Sequence, residues 1–106
     1  MKQRTKPLSQ RQAETDLEAL SRVLAVLEKP AEVRAFLEDL CTPAELEAMC
    51  DRWKVVPWLL DRVPYSEIHE RTSVSITTIG RVARTLARGA GGYDVAIRRY
   101  PRRRNM

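Results

Sequence analysis

The stretch from Pro64 to Arg88 constrains the fold more than any other part of the chain. Ile68 is expected to face inward on a short helix that begins after Pro64, a tight turn passes through Thr72 and Ser73, and Val74 plugs the corner. Ser75, a favoured N-cap type, then opens another helix. In that helix Ile76, Ile79, Val82, Ala83 and Leu86 recur as the inner stripe, which leaves Thr77, Thr78, Gly80, Arg81, Arg84 and Arg88 on the outer side. Two short helices meeting across a corner are the helix-turn-helix arrangement, in which the first helix braces against the DNA backbone and the second lies along the major groove. An ordinary helical corner would satisfy the same capping and packing needs. A merely solvated helix, however, mixes charge signs, and this outer face holds no acid.

Helical spacing extends over the rest of the chain. Leu17, Leu20, Leu24 and Leu27 share one face of a helix expected from about Ser9 to Lys29, closed by Pro30. Val33, Phe36, Leu37 and Leu40 repeat the pattern. Thr42-Pro43-Ala44-Glu45 then supplies a capping hydroxyl, a proline at the first helical position and a glutamate at the third. Leu46, Met49, Cys50, Trp53 and Leu60 continue as an apolar stripe, which Pro57 kinks or ends. No strand pattern competes, so the fold class is all-α.

Charge is divided unevenly. Residues 1–61 hold nine Lys+Arg and eleven Asp+Glu, a net of −2, whereas residues 62–106 hold ten Arg and three acids, a net of +7. Arginine forks two hydrogen bonds onto a phosphate or a guanine edge, so double-stranded DNA is the leading partner. The rival is a non-enzymatic helical interaction module that docks its basic helix on RNA or on an acidic protein surface. Enzymatic chemistry has no visible machinery: His69 is the only histidine and sits among Glu67, Glu70 and Arg71, which look like the wet face of a helix. Cys41 and Cys50 are nine residues apart without a second pair, so no zinc cage or disulfide framework is expected. The longest apolar runs fall far short of the roughly 20 residues of a bilayer span. The N-terminus lacks the apolar core of a secretory signal. A cytoplasmic protein of one domain, without metal or membrane contact, is the expectation.

Three segments together carry a family resemblance: Cys41-Thr42-Pro43-Ala44-Glu45-Leu46-Glu47-Ala48-Met49, Asp51-Arg52-Trp53, and the run from Pro64-Tyr65-Ser66-Glu67-Ile68 to Ser75-Ile76-Thr77-Thr78-Ile79-Gly80-Arg81-Val82. The chain resembles the tryptophan repressor superfamily, and most closely its YerC/YecD-type subgroup, whose members end the domain with a segment like Gly89 to Tyr93. The resemblance implies an all-α, intertwined homodimer with two reading heads, acting as a sequence-specific transcriptional regulator, expected to be a repressor. It places base-reading positions on Ile76, Thr77 and Gly80 and backbone contacts on Thr78 and Ser66. Ser75 at the helix entrance and Arg81, Arg84 and Arg88 complete the expected DNA-facing set. Ser66 stands where the tryptophan repressor has arginine, and Gly80 where it has threonine, so that protein's operator is not carried over.

The resemblance also implies an effector pocket, whose counterparts here are Thr42, Arg52, Arg81 and Val82. Arg52 could grip a carboxylate, or pair with an acid such as Asp51 or Asp61. Val82 replaces the glycine on which the indole lies flat, so L-tryptophan is not the expected ligand. A small-molecule corepressor is left unidentified, and no other cofactor is expected. The domain plan is a basic arm at 1–8, the helical domain at 9–93 with its two-helix motif at about 64–88, and an Arg-rich flexible tail at 94–106. The tail's five arginines would add phosphate attraction or serve only as a solubilising end.

Overall fold

A computed structural model describes residues 5–100. Among these residues the chain forms seven helices and no strand: α1 Gln10–Val26, α2 Pro30–Leu40, α3 Pro43–Lys54, α4 Val56–Leu60, α5 Tyr65–Thr72, α6 Ile76–Arg88 and α7 Gly92–Arg99. None is long and apolar enough to cross a membrane. The helices divide into two compact units, residues 1–42 and 43–106.

In the first unit Ser9 caps α1, its hydroxyl oxygen accepting the Gln12 N–H at 3.1 Å. The helix ends earlier than its pattern suggests, because Leu27 turns to an extended conformation three residues before Pro30. Pro30 opens α2, where its missing N–H costs no hydrogen bond. Glu32 reaches back to the N–H groups of Glu28 and Lys29 at 3.0 and 3.3 Å. Those bonds, Glu28 first, favour its ionised form and hold the carboxyl below its ordinary pKa. No residue of α1 or α2 is buried, and Leu17 on the leucine stripe is 65% exposed.

The second unit contains the core, built from Val55, Val56, Ile68, Val74, Ile79 and Val82. Pro57 lies in the first turn of α4, so α3 stops at Lys54 and the apolar run restarts as a new helix at Val56. α4 ends with paired bonds from Arg62 N–H to the Leu59 carbonyl (3.0 Å) and from Val63 N–H to the Trp58 carbonyl (3.1 Å). That is the Schellman pattern, with Arg62 at φ 60° where glycine is usual. Arg71 on α5 lies over the Trp58 ring at 5.8 Å and pairs with Glu67 at 3.4 Å.

The tail expected at 94–106 is corrected over its first part. Gly91, at φ 89°, reverses the chain, and α7 then places Tyr93 and Ile97, four residues apart on one helix face, against the core. Tyr93 stacks on Trp53 of α3 with ring centroids 6.3 Å apart. Asp94 near the start and Arg98 and Arg99 near the end complement the helix dipole. Residues 1–4 of the basic arm and 101–106 of the tail lie outside the described residues.

Candidate nucleic-acid interface

The corner between α5 and α6 is held by backbone and side-chain bonds that leave little freedom. Ser73 takes the left-handed conformation (φ 64°), and its N–H donates to the His69 carbonyl at 2.8 Å. Thr72 Oγ1 donates to the Ile68 carbonyl (2.7 Å) and accepts the Val74 N–H (3.2 Å). His69 Nδ1 lies 2.7 Å from the Val74 carbonyl, which can only accept, so this nitrogen carries the proton. The histidine expected on a wet helix face is therefore also a brace across the corner. Val74 is buried beneath, and Ser75 Oγ caps α6 by accepting the Thr78 N–H at 3.1 Å while donating to Thr78 Oγ1.

These restraints fix the phase of α6. Ile79 and Val82 point into the core, which turns Thr77, Arg81, Arg84 and Arg88 to the outside. Arg81, Arg84, Thr85, Arg88 and Gly89 line an open groove of about 310 Å³. Among the described residues no carboxylate pairs with these three arginines, whereas arginines on other helices do pair, as Arg22 with Glu18 and Arg34 with Glu38. An unneutralised row of this kind is a ready anion surface.

Three residues of α6 sit differently from their place in the helical pattern. Gly80 is buried, because the Tyr65 ring and the Arg84 guanidinium close over it, so it presents no surface of its own. Thr78 is half-buried and its hydroxyl already belongs to the cap. Ile76, placed on the inner stripe by periodicity, is 46% exposed at the free end of α6. Ser66 lies exposed in the first turn of α5.

The residues of the expected effector pocket are distributed as follows. Val82 is 1% exposed and belongs to the hydrophobic core, packed with Val55, Val56 and Ile79. Arg81 is exposed on α6, Arg52 is half-buried on α3, and Thr42 is the exposed residue just before Pro43. Asp51, one alternative partner of Arg52, pairs with Lys54 at 3.5 Å.

Residues 15–100 match the family model described as Trp repressor protein. The chain belongs to the Trp repressor family. Within that family it is similar to the uncharacterized protein YerC of Bacillus subtilis (strain 168), with 32% identity over 84 residues that cover 79% of this chain and 81% of YerC. It is thus a TrpR-related protein of YerC type. In this Trp repressor family member, sequence reasoning missed Tyr65, His69 and the Tyr93–Trp53 stack. The one available signal for Tyr65 was Gly80: a glycine inside a helix implies that something approaches closely.

Proposed function

We propose that this Trp repressor family member is a cytoplasmic, sequence-specific transcriptional regulator, a repressor, that binds duplex DNA as a homodimer through a helix-turn-helix formed by α5 and α6. The observation that carries the reading is the acid-free outer face of α6, with Arg81, Arg84 and Arg88 exposed and unpaired with any carboxylate among the described residues. Cations that a folded chain leaves unneutralised on one helix face suit a polyanion that brings its own charge. The dimer is supported by the absence of any buried residue in α1, α2 or α3 despite their apolar stripes. A two-fold dimer calls for a pseudo-palindromic operator with half-sites about one helical turn apart.

The experiment is a gel-shift series on genomic duplex fragments over a range of salt concentrations. Two phosphate-reaching arginines on each of two heads, Arg81 and Arg88, predict a log–log slope of about −4. A slope near zero, or equal binding to RNA at every salt concentration, sinks the reading in favour of an interaction module.

An effector held by Arg52 and Arg81 belongs to the same proposal, but for a ligand without a flat indole, since the Val82 side chain is committed to the core. L-tryptophan should leave both the gel shift and the thermal midpoint unchanged, because a ligand that bound the folded state would raise the midpoint by mass action. A rise in either on adding L-tryptophan contradicts this.

A further inference from the structure

Gly80 stands in the interior of α6, where glycine is the poorest helix former after proline. Its place is explained by what lies against it. A Cβ at this position would meet Arg84 Nη1 at 3.4 Å and Tyr65 Cε2 at 3.8 Å. The two side chains come from different helices and close over one patch of backbone, which buries Gly80 while Tyr65 itself stays 42% exposed. Helical side chains lean toward the N-terminus of their helix. The Arg84 guanidinium accordingly lies a turn back from its own Cα, toward the half of α6 that carries Ile76 and Thr77.

We propose that Gly80 is a seat and not a reader: it lets Arg84 and Tyr65 close over α6, so that Arg84 offers its fork to a guanine edge and Tyr65 acts as the positioning wall beside it. The inference rests on the DNA-binding reading above and names the contact that sets sequence preference. Guanine is the base whose major-groove edge pairs two acceptors, O6 and N7, and the parallel N–H donors of a guanidinium match them. No carboxylate among the described residues holds Arg84, so its donors are available. The distances 3.4 and 3.8 Å are close to ordinary contact, so alanine fits at position 80, whereas a longer side chain takes the space of the guanidinium.

A randomised duplex library selected with the full-length protein supplies the probe. Wild type, Gly80→Ala, Gly80→Leu, Tyr65→Ala, Tyr65→Phe and Arg84→Lys are then compared on the enriched sequence and on its single base-pair variants. A G·C pair should be enriched, and Arg84→Lys and Gly80→Leu should lose discrimination at that same pair by about tenfold to a hundredfold. Tyr65→Ala should lose part of it, while Tyr65→Phe, which keeps the wall, and Gly80→Ala should retain it. A purely structural glycine would change the melting temperature and leave base preference intact. If the wild type enriches no sequence, the DNA-binding reading falls and takes this proposal with it. If the wild type enriches a sequence that Arg84→Lys and Gly80→Leu read unchanged, only the seat is overturned. Should Gly80→Leu fail to fold, unchanged preference in both Arg84→Lys and Tyr65→Ala overturns it equally.

Discussion

Reversing two charges on α6, Arg81→Glu together with Arg88→Glu, should weaken duplex DNA binding by about a thousandfold or more, enough to erase the usual margin of specific over non-specific affinity. In a dimer the change removes four cations and installs four anions, so the interface loses the counterion release that drives association and gains repulsion from the phosphates. The new carboxylate at position 88 would also stand four residues from Arg84 and draw that guanidinium away from its partner. Folding should be nearly untouched. Both side chains are exposed and neither is paired with a carboxylate among the described residues, and such surface changes normally stay within about 0.5 kcal/mol. Loss of the favourable cation in the last turn of α6 is offset by relief of the Arg84–Arg88 repulsion. Gel shift and a thermal melt read together check this: retained affinity with an unchanged melt removes α6 as the DNA surface, and lost affinity with an unchanged melt supports it.

What could be read in advance was whatever depends on near neighbours. Ile68, Val74, Ile79 and Val82 are buried where their spacing put them, and Ser75 caps α6, because capping and helical periodicity act within a single turn. Val55 and Val56, among the most deeply buried side chains, escaped notice for a definite reason. They sit where α3 ends and α4 begins, so a stripe extrapolated from Leu46 through Trp53 loses its phase there, and Met49, Trp53 and Leu60 on that stripe remain exposed. α7 was hidden behind its glycines. Gly89, Gly91 and Gly92 read as the end of the helical domain, with a flexible tail from 94 onward, yet Gly91 in its left-handed conformation leads into α7, which packs Tyr93 and Ile97 against the core. The braces at the corner were illegible for another cause: His69 and Thr72 bond to main-chain atoms of Ile68 and Val74, and a backbone carbonyl leaves no mark on residue type. Gly80 did leave a mark, but only the folded chain identifies Tyr65 and Arg84 as the groups that approach it.

Placing charge on the leucine face of α1, Leu20→Glu with Leu24→Glu, should convert the protein from dimer to monomer and remove much of its helix content. A helix of 17 residues that buries none of them is marginal in water, since most helical stability in proteins comes from packing an apolar face. The same holds for α2 and α3, and among the described residues all six buried apolar side chains belong to residues 55–82. A second copy of the chain is what would cover Leu17, Val23 and Val26, which are all exposed here. Carboxylates introduced into such a covered face would be desolvated without partners, a penalty of several kcal/mol that rivals the whole stability of a small domain. The wild type should therefore sediment at twice its 12.2 kDa chain mass, with a melting temperature that rises with protein concentration. The double variant should sediment at the single-chain mass and show weakened helical circular dichroism. DNA binding should fall with it, because two heads held by one dimer core bind a two-part operator far more tightly than either head alone. A wild type that sediments as a single chain with a sharp, concentration-independent melt would show that the leucine face needs no partner, and the symmetric operator would lose its basis.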